Sequence, residues 1–595
     1  MDRRLTNKLI VVIVIMTVFL IGQLVWLLTK DTLPTITNLT ISQKQSKNII
    51  TGTKEEYDRV FDSAARFADT PIAKIGGGIL PHHLLVKEQI ASYLLGLADQ
   101  KYDTVVIIGP NHQNIGHGDI IYSDANWQTP TGSMDVDLNS ANLINSTAKL
   151  NNKIIQQESS ITVLLPYIHY ALPKVKILPL IIKESAKTDE LAKIAQLLSQ
   201  YCQEQKILVL ASIDFSHYLP VDVADFHDQI TANIIQTFDQ ERILQTEIDS
   251  PKSAYLLLEY LRLTQQQKSF LVRQTNSGRF LPQQSESTTS HQFYYFVNGE
   301  PQQEKYLALM FFGDLMLDRN VKKQYENKNL DVIFQGLSGQ ENRFWRGLDL
   351  TSANLEGAVL KNGEHWLPDN AYDFSFDLND VGQLKKYNFN FFNLANNHLT
   401  DQGTLGVEQT RDNLKQLNLE FSGCADAQIG ECSLNIINRR GYRLAMLGFS
   451  QVYQPLDLGK IQEMIKQVKD KSDVIIINIH WGNEYQHQKN TIQENIAHTL
   501  IDSGADLIIG HHPHVVQGKE KYRGKYIFYS LGNFVFDQYF SADTQEGLGL
   551  GLIMDPSATN KILDYYLFPL QSERSRVRLM SREKKQEFVE KFDKW

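Results

Sequence analysis

Apolar runs of strand length alternate with helix-like stretches along most of this chain, and this alternation limits its fold more than any other feature. In the first half, the apolar runs include KYDTVVIIG, KVKILPLII and KILVLAS, and the stretch TDELAKIAQLLSQYCQ between the last two has helical spacing. Continuous apolar runs are typical of strands that are buried on both faces. The alternation therefore predicts an α/β fold, in which helices cover both faces of a parallel sheet.

The same rhythm begins again in the second half, at YLALMFFGD, and continues as far as ADLIIGHHPH. A chain of 595 residues is too long for one ordinary core, so we expect more than one domain. The polar stretch GEPQQEK, residues 299–305, is the expected boundary. We predict one α/β domain over residues 72–298, a second over residues 305–570, and a charged C-terminal helix over residues 571–595.

One segment ahead of these domains is long enough to cross a membrane. Residues 9–28 carry no charged side chain, and about 20 residues at 1.5 Å each span a hydrocarbon core roughly 30 Å thick. Arg3, Arg4 and Lys8 precede the segment, and such basic residues remain on the cytoplasmic side of a membrane. We therefore expect a transmembrane anchor over residues 1–31. A cleaved signal peptide is the alternative interpretation.

This anchor sets the expected location of the rest of the chain. The N terminus would lie in the cytoplasm, and a polar tether followed by a helix, residues 32–71, would lie on the outer side of the cell membrane. Both domains are therefore expected to be extracytoplasmic and bound to the membrane through a single N-terminal helix.

Charge and cysteine content restrict the partners and the redox chemistry. The formal net charge is -9 and there is no long basic run, which argues against nucleic acid as a partner. Three cysteines cannot form a disulfide framework. Cys424 and Cys432 are close enough in sequence to pair in an oxidising compartment, and two unpaired thiols are the alternative.

Polar side chains follow several apolar runs of the second half. They are Asp314, Asn354, Glu356, Asn397, His398, His480, His512 and His514. In open α/β sheets, ligands bind just beyond the carboxyl ends of the strands, so these groups are expected to meet at one sheet edge. Carboxylate, amide and imidazole groups suit Zn, Mn or Fe. Two such ions about 3.5–4 Å apart can clamp a phosphoryl group and activate a water.

The motifs GDLMLDR, NLEG, ANNHLTDQG, HWGNEY, GADLIIGHHPHVVQ and YSLGNFVFDQ, in this order, resemble the CapA family over roughly residues 305–566. The resemblance implies a calcineurin-like metallophosphoesterase fold. It also implies a role in poly-γ-glutamate capsule biosynthesis and export, at the outer membrane face beside a ligase and membrane partners. The metal ligands that it implies, for two divalent ions, are Asp314, Glu356, Asn397, His480, His512 and His514.

The resemblance also implies roles for residues beside these ligands. His398 would act on the transition state by donating to a leaving oxygen. Asn354 would replace Glu356 as a ligand in the alternative arrangement, and Asn533 would orient a ligand. Met316 stands where ordinary calcineurin-like phosphatases carry a histidine, which predicts a change at one metal position and argues against a plain phosphatase.

Histidines follow the apolar runs of the first half and predict one metal ion there. They are His82, His83, His112 and His217. The stretches KIGGGILPHH, VVIIGPNH, QESSITVLLP, VKILPLII and ASIDFSHY resemble the MEMO-like family, also called AmmeMemoRadiSam system protein B, over roughly residues 72–297. The resemblance implies the fold of LigB-type extradiol dioxygenases. It also implies a site lined by His82 or His83, His112 and His217, with Asp214 nearby.

Two departures from the MEMO-like pattern bear on the chemistry of this site. Glu158-Ser159-Ser160 stands where family members often have Glu-His-Ser, and Ser216 stands where some relatives have a cysteine. A serine hydroxyl neither binds soft metals nor does redox chemistry. The departures therefore argue against redox activity and leave a binding or vestigial role as an alternative to catalysis.

Three functions follow from these features. The first is a metal-dependent hydrolase that acts outside the cell on an anionic polymer, a phosphoester or an acyl-glutamyl linkage during capsule or envelope polymer synthesis. The second is a non-catalytic envelope scaffold that binds polymer or membrane partners. The third, ranked last, is a redox protein that uses Fe or Cu in its first domain.

Overall fold

The computed structural model describes residues 50, 52–326, 328–367 and 372–595. The predicted anchor, residues 1–31, lies outside these residues. Within the described part, no helix combines the length and the apolar composition that crossing a membrane requires. The longer helices are α1 (Lys54–Ser63), α2 (Lys87–Leu95), α3 (Thr188–Glu204), α4 (Val221–Gln236), α5 (Pro251–Leu263), α6 (Gly403–Gln416), α7 (Leu458–Val468), α8 (Thr491–Ser503) and α9 (Arg582–Phe592).

The main sheet of the first half has four parallel strands at its centre. Its strands are β1 (Ile75–Leu80), β2 (Thr104–Pro110), β3 (Ile120–Tyr122), β4 (Lys149–Leu150), β5 (Lys176–Ile182), β6 (Ile207–Ser212), β7 (Lys268–Asn276) and β8 (Thr288–Val297). They lie in the order β7-β8-β1-β6-β2-β5-β3-β4. The neighbours β1, β6, β2 and β5 are parallel, as predicted. On either side, β8 and β3 run antiparallel to their inner neighbours.

The second half contains two larger sheets. The strands in chain order are β9 (Leu307–Leu315), β10 (Leu350–Leu355), β11 (Phe391–Asn393), β12 (Glu420–Ser422), β13 (Leu434–Arg439), β14 (Tyr442–Gln451), β15 (Val474–Trp481), β16 (Leu507–His511), β17 (Val516–Tyr522), β18 (Lys525–Leu531), β19 (Asn533–Val535), β20 (Glu546–Met554), β21 (Ile562–Glu573) and β22 (Arg576–Leu579). One sheet has the order β12-β11-β10-β9-β20-β21-β22, with β19 beside β9, and the other has the order β13-β14-β15-β16-β18-β17.

The two sheets of the second half pack face to face. Phe311 of β9 belongs to the same buried cluster as Met446 of β14, Ile476 of β15 and Ile509 of β16. The opposite face of the second sheet is covered by α7 and α8, through buried residues such as Ile465. The apolar rhythm of the first half recurs here, but it belongs to two stacked sheets and not to one sheet between two layers of helices. A continuous apolar run shows that both faces of a strand are buried, but it does not show what buries them.

The end of the chain also differs from the expectation of a helix over residues 571–595. The helix α9 begins only at Arg582, because the residues before it pair as antiparallel strands β21 and β22. The two halves meet through α4. The Phe226 ring of this helix lies 5.1 Å from the Tyr566 ring and 5.6 Å from the Phe568 ring, measured between centroids.

Candidate metal centres

The predicted groups of the second half meet where strands of its two sheets end. Asn354, on β10, is at the centre of the cluster. Its Nδ2 lies 2.8 Å from Asp314 Oδ1, 3.0 Å from Glu356 Oε1 and 3.1 Å from His480 Nδ1. All four side chains are fully buried. The sheets that carry them are packed against each other, so residues distant in the chain become neighbours.

The remaining predicted ligands join this cluster through short contacts. Asn397 Oδ1 lies 2.8 Å from His480 Nε2. The His512 ring lies 4.7 Å from the His480 ring, between centroids, and the His512 backbone N–H donates to Asp314 Oδ2 at 3.3 Å. His514 Nδ1 lies 3.3 Å from the same Asp314 oxygen. The structure thus brings together all six residues that the sequence proposed as ligands.

Several buried polar atoms in this cluster lack a hydrogen bond. Among the described residues, Glu356 Oε2, His511 Nδ1 and His512 Nδ1 have no hydrogen-bond partner. An unsatisfied buried polar atom is costly, and such atoms in a native structure need an explanation. Possible ligand atoms of Asp314, Glu356 and His514 lie within 4.8 Å of one another. Carboxylate and imidazole groups in this arrangement fit a divalent cation.

The turn HHPH that follows β16 is held in an unusual backbone conformation. His512 has φ 96° and His514 has φ 57°, both in the left-handed region that non-glycine residues seldom adopt. Such strain persists only where the surrounding structure enforces it, and it is concentrated at functional sites. With this conformation the His514 imidazole lies beside Asp314 and the His512 ring lies beside His480, so two histidines two positions apart reach one centre.

Burial and neighbouring charge tune the ionisation of the cluster. Burial alone would raise the pKa of Asp314, but the hydrogen bond with His514 and the surrounding imidazoles outweigh it and lower that pKa. Burial, together with the Asp314 charge, raises the pKa of Glu356 well above its usual value. Burial and the nearby His514 lower the pKa of His512 to about 4. This imidazole is therefore neutral near pH 7, the form that binds metal.

His398 is fixed at the edge of the cluster. Its Nδ1 lies 2.9 Å from Asp401 Oδ2, and its ring packs 4.5 Å from the Phe374 ring between centroids. Its Nε2 lies 3.1 Å from Asn397 Nδ2, which donates to it when Asp401 accepts the proton of Nδ1. His398 therefore lies next to the predicted ligand Asn397, and both of its ring nitrogens have partners.

Met316 and Asn533, which the sequence singled out beside the ligands, are both buried. Met316 is fully buried, and its sulfur accepts the Asp318 backbone N–H at 3.0 Å. Asn533 Oδ1 lies 2.9 Å from His514 Nδ1 and so orients that imidazole. The sequence did not single out two further residues: His511, beside Asp314, and Glu484, whose carboxylate lies within 4.8 Å of the ligand atoms of His512 and His514. Glu484 belongs to the HWGNEY motif and His511 to the HHPH motif, and these motifs are the sequence signal that could have located them.

In the first half, a carboxylate missed by the sequence joins the predicted histidines. His82 Nε2 lies 3.5 Å from both Asp214 Oδ2 and Asp249 Oδ2, and His112 Nε2 lies 3.8 Å from Asp249 Oδ2. Asp249 and Asp214 also form a possible ligand group with His217. Neither carboxylate oxygen of Asp249 has a hydrogen-bond partner among the described residues. Asp249 follows no apolar run, so the strand-end argument did not find it.

The other groups of the first half have different roles. His83 Nδ1 lies 2.9 Å from His291 Nε2, and His83 belongs to none of the possible ligand groups in the described residues. Of the alternatives His82 and His83, the geometry favours His82. The Glu158 carboxylate lies 2.6 Å from His112 Nδ1 and orients that ring. The cluster opens into a cavity of about 560 Å³ that is lined partly by Arg343 of the second half.

Comparisons with known proteins place each half in a family. Residues 308–538 match the family model "Bacterial capsule synthesis protein PGA_cap", and residues 54–291 match "Memo-like protein". PGA biosynthesis protein CapA of Bacillus subtilis is 33% identical over 298 residues, which are 47% of this chain and 76% of the relative. Capsule biosynthesis protein CapA of Bacillus anthracis is 33% identical over 251 residues, 39% of this chain and 60% of the relative. A MEMO1 family protein of Metallosphaera sedula is 30% identical over 199 residues, 31% of this chain and 70% of the relative.

Proposed function

This chain belongs to the bacterial capsule synthesis protein (CapA) family through its second half and to the Memo-like family through its first half, and we propose from this membership that it acts in the synthesis of a capsule or similar envelope polymer. The names of its relatives refer to capsule and PGA biosynthesis. The substrate class that we propose is an anionic polymer such as poly-γ-glutamate, a phosphoester or an acyl-glutamyl linkage.

The second half is proposed to be a metal-dependent hydrolase of calcineurin-like type. The observation that supports this most directly is the buried set of carboxylate and imidazole atoms that lack hydrogen bonds around Asp314. Divalent ions bound there, Mn, Zn or Fe, would supply Lewis acidity and lower the pKa of water. The proposed ligands are Asp314, Glu356, Asn397, His480, His512 and His514. His398, oriented by Asp401, would hold and deliver a proton at Nε2.

The first half is proposed to hold one metal ion at His82, His112 and Asp249, with Asp214 and His217 adjacent. Ser216 takes no part in this set, because its hydroxyl is directed toward Asp228 at 3.4 Å. Without a thiolate at this position, binding is favoured over redox turnover.

We also propose that both halves lie outside the cytoplasm, anchored by the segment over residues 9–28. That segment lies outside the described residues. The disulfide between Cys424 and Cys432, whose Cα atoms are 5.3 Å apart, supports this location, because disulfides persist in oxidising compartments. Of the two alternatives that the sequence left open for these cysteines, the structure has the pair.

Removing two imidazoles tests the hydrolase proposal. In a His512→Ala/His514→Ala variant, we expect loss of the metal bound by the second half, because two imidazole donors disappear from the centre. Metal content after dialysis against Mn²⁺ and cleavage of bis(p-nitrophenyl) phosphate measure this. His117→Ala, which changes an exposed histidine of the first half, is the matched control. Circular dichroism checks that each variant is folded. Wild-type metal content and cleavage in the double variant would refute the proposal.

The alternative function is a non-catalytic envelope scaffold with a vestigial Memo-like half. Met316 favours it, because the buried thioether bonds to its own turn at a position where an ordinary phosphatase of this type has an imidazole. A scaffold does not need metal. Purified protein without stoichiometric Mn, Zn or Fe, and without gain of metal on titration, would support the scaffold.

A further inference from the structure

A groove beside the second-half centre is lined without any charged side chain. It has a volume of about 210 Å³, and among the described residues its lining consists of Gln451, Val452, Tyr453, Gln454, Pro455, Trp481, Gly482, Asn483, Asn490, Ile492, Gln493 and Ile496. Amide side chains and apolar or aromatic groups therefore share its surface. Tyr453 of this lining also contacts the proposed ligand Asn397, so the groove adjoins the centre described above.

Tyr453 stands between this groove and the metal centre. Its side chain is 69% exposed, and its hydroxyl lies 3.5 Å from Asn397 Nδ2. The Asp426 carboxylate accepts the backbone N–H groups of Val452 at 2.8 Å and Tyr453 at 3.0 Å. The loop that carries the ring is thus held in place, so an exposed aromatic face is presented without the entropic cost of ordering the loop on binding.

Two amides of the groove have unused hydrogen-bonding capacity. Within the described part of the chain, the side chains of Gln454 and Asn483 are exposed and have no protein partner. In contrast, Asn490 and Gln493 cap the start of α8 through reciprocal side-chain to backbone bonds, and they form a fixed wall. A free primary amide offers two donors and one acceptor, which is the pattern that neighbouring sugar hydroxyls can satisfy.

Further exposed aromatic rings lie beside the metal centre, outside the groove lining. Tyr485 is 41% exposed and lies 6.3 Å from the His514 ring, and Phe540, 67% exposed, lies 5.2 Å from Tyr485. Tyr372, 57% exposed, lies 5.6 Å from the His398 ring. The distances are between ring centroids. Single exposed apolar residues are common, but a group of exposed rings at the edge of a polar centre marks a ligand surface.

We propose that this groove binds a sugar ring of a glycan chain, stacked on Tyr453 and hydrogen-bonded to Gln454 and Asn483. The C–H face of a pyranose packs on an aromatic ring, and its hydroxyls match neutral amides. A nucleic acid or an unmodified poly-γ-glutamate strand would need Lys or Arg to balance its charge, and the groove lining has neither. Placing an anionic linkage of such a glycan over the metal centre rests on the proposed function. Binding of the sugar ring in the groove does not rest on it.

Oligosaccharide binding to the full-length protein tests the inference. The probes are chitotetraose, cellotetraose and maltotetraose, with tetra-γ-glutamate for comparison, measured by saturation-transfer NMR and calorimetry. We expect at least one oligosaccharide to bind saturably and more tightly than tetra-γ-glutamate. Tyr453→Ala should weaken it by about tenfold, whereas Tyr453→Phe, which keeps the ring face, should stay within about threefold. Phe280→Ala, which removes a 44% exposed ring of the first half, should bind like the wild type.

Three results would overturn the inference: no binding by any of the oligosaccharides, unchanged binding by Tyr453→Ala, or tighter binding of tetra-γ-glutamate that depends on Tyr453. The His512→Ala/His514→Ala variant separates this inference from the proposed function. If that variant still binds oligosaccharide, the groove acts independently of metal. If the wild type takes up no metal but binds oligosaccharide through Tyr453, the hydrolase proposal fails and the groove stands.

Discussion

Asp228 is the most fully enclosed acidic side chain of α4, and burial raises its pKa to about 8. Hydrogen bonds from Ser290, at 2.6 Å, and from Gln274, at 3.4 Å, favour the charged form but do not offset burial, and the nearby Asp225 adds to the rise. The side chain is therefore largely protonated in the folded protein near neutral pH, while an unfolded chain would release the proton at the ordinary pKa of 3.8.

This difference in proton binding makes stability depend on pH. Between about pH 4 and pH 8 the folded state holds a proton that the unfolded state has lost, so the free energy of unfolding falls as pH rises, by at most about 1.4 kcal/mol per pH unit. In Asp228→Asn this contribution disappears, and the variant should gain stability relative to the wild type from pH 5 to pH 8. Thermal unfolding across this range, with exposed Asp412→Asn as the charge control, measures it. Parallel pH profiles for wild type and Asp228→Asn would contradict the assignment.

At the residue scale, the sequence predicted the second-half centre better than the first. Asp314 and His480 end apolar runs, and the pattern predicted that such run ends meet at one sheet edge. They do lie close together, but they belong to two sheets that pack face to face, which the pattern did not predict. Asp249 sits in the stretch TEIDSP, outside any such run, and only the packed chain brings it to His82. His83 and His82 are adjacent and chemically alike, so the sequence had no basis for separating them.

At the scale of elements, α4 connects the halves. Besides the aromatic contacts of Phe226, its Asn233 Oδ1 accepts from Arg440 Nη1 at 2.9 Å, and Arg440 also pairs with Asp239 at 3.2 Å. A second contact joins Glu247 of the first half to Arg343 of the second at 2.7 Å, with the glutamate carboxylate fully buried. Removing one partner of a buried pair leaves an uncompensated charge, so a change at Glu247 or Arg343 alone should destabilise this contact.

Truncating the aromatic contact should destabilise the protein. Phe226 is fully buried against Phe568, and Phe226→Ala would leave a cavity at a cost of about 3–5 kcal/mol. We expect a clear fall in the calorimetric unfolding midpoint, whereas exposed Phe280→Ala should leave it almost unchanged. Because a chain of this size need not unfold in two states, the midpoint is the quantity to compare. Equal midpoints for the two variants would show that α4 does not hold the halves together.

The elements themselves were predictable where apolar runs were long. The four central strands of the first half are parallel, as the alternation indicated. The stacked sheets of the second half were not predicted from the pattern. A strand covered by a helix and a strand covered by another sheet have the same apolar run, so the run does not distinguish them. The start of α9 was also misplaced, since the charged residues 571–579 pair on a sheet edge where alternation is weak.

At the scale of the whole molecule, two candidate metal centres and a shared cavity lie in one chain. Arg343 and Arg346 of the second half line the cavity that opens from His82 and Asp249 of the first. The groove at Tyr453 adjoins the other centre. An anchor at the N terminus would keep both centres at one membrane surface and raise their effective concentration there.

Anomalous diffraction from crystals grown with MnCl₂, recorded above and below the Mn absorption edge, tests the central claim most directly. We expect anomalous peaks within ligand distance of Asp314, Glu356, His480, His512 and His514, because these buried groups converge there and Glu356 Oε2 and His512 Nδ1 have no hydrogen-bond partner among the described residues. If crystals grown with excess Mn²⁺ have a well-ordered second half but show no anomalous peak among these side chains, that result would contradict a metal centre there.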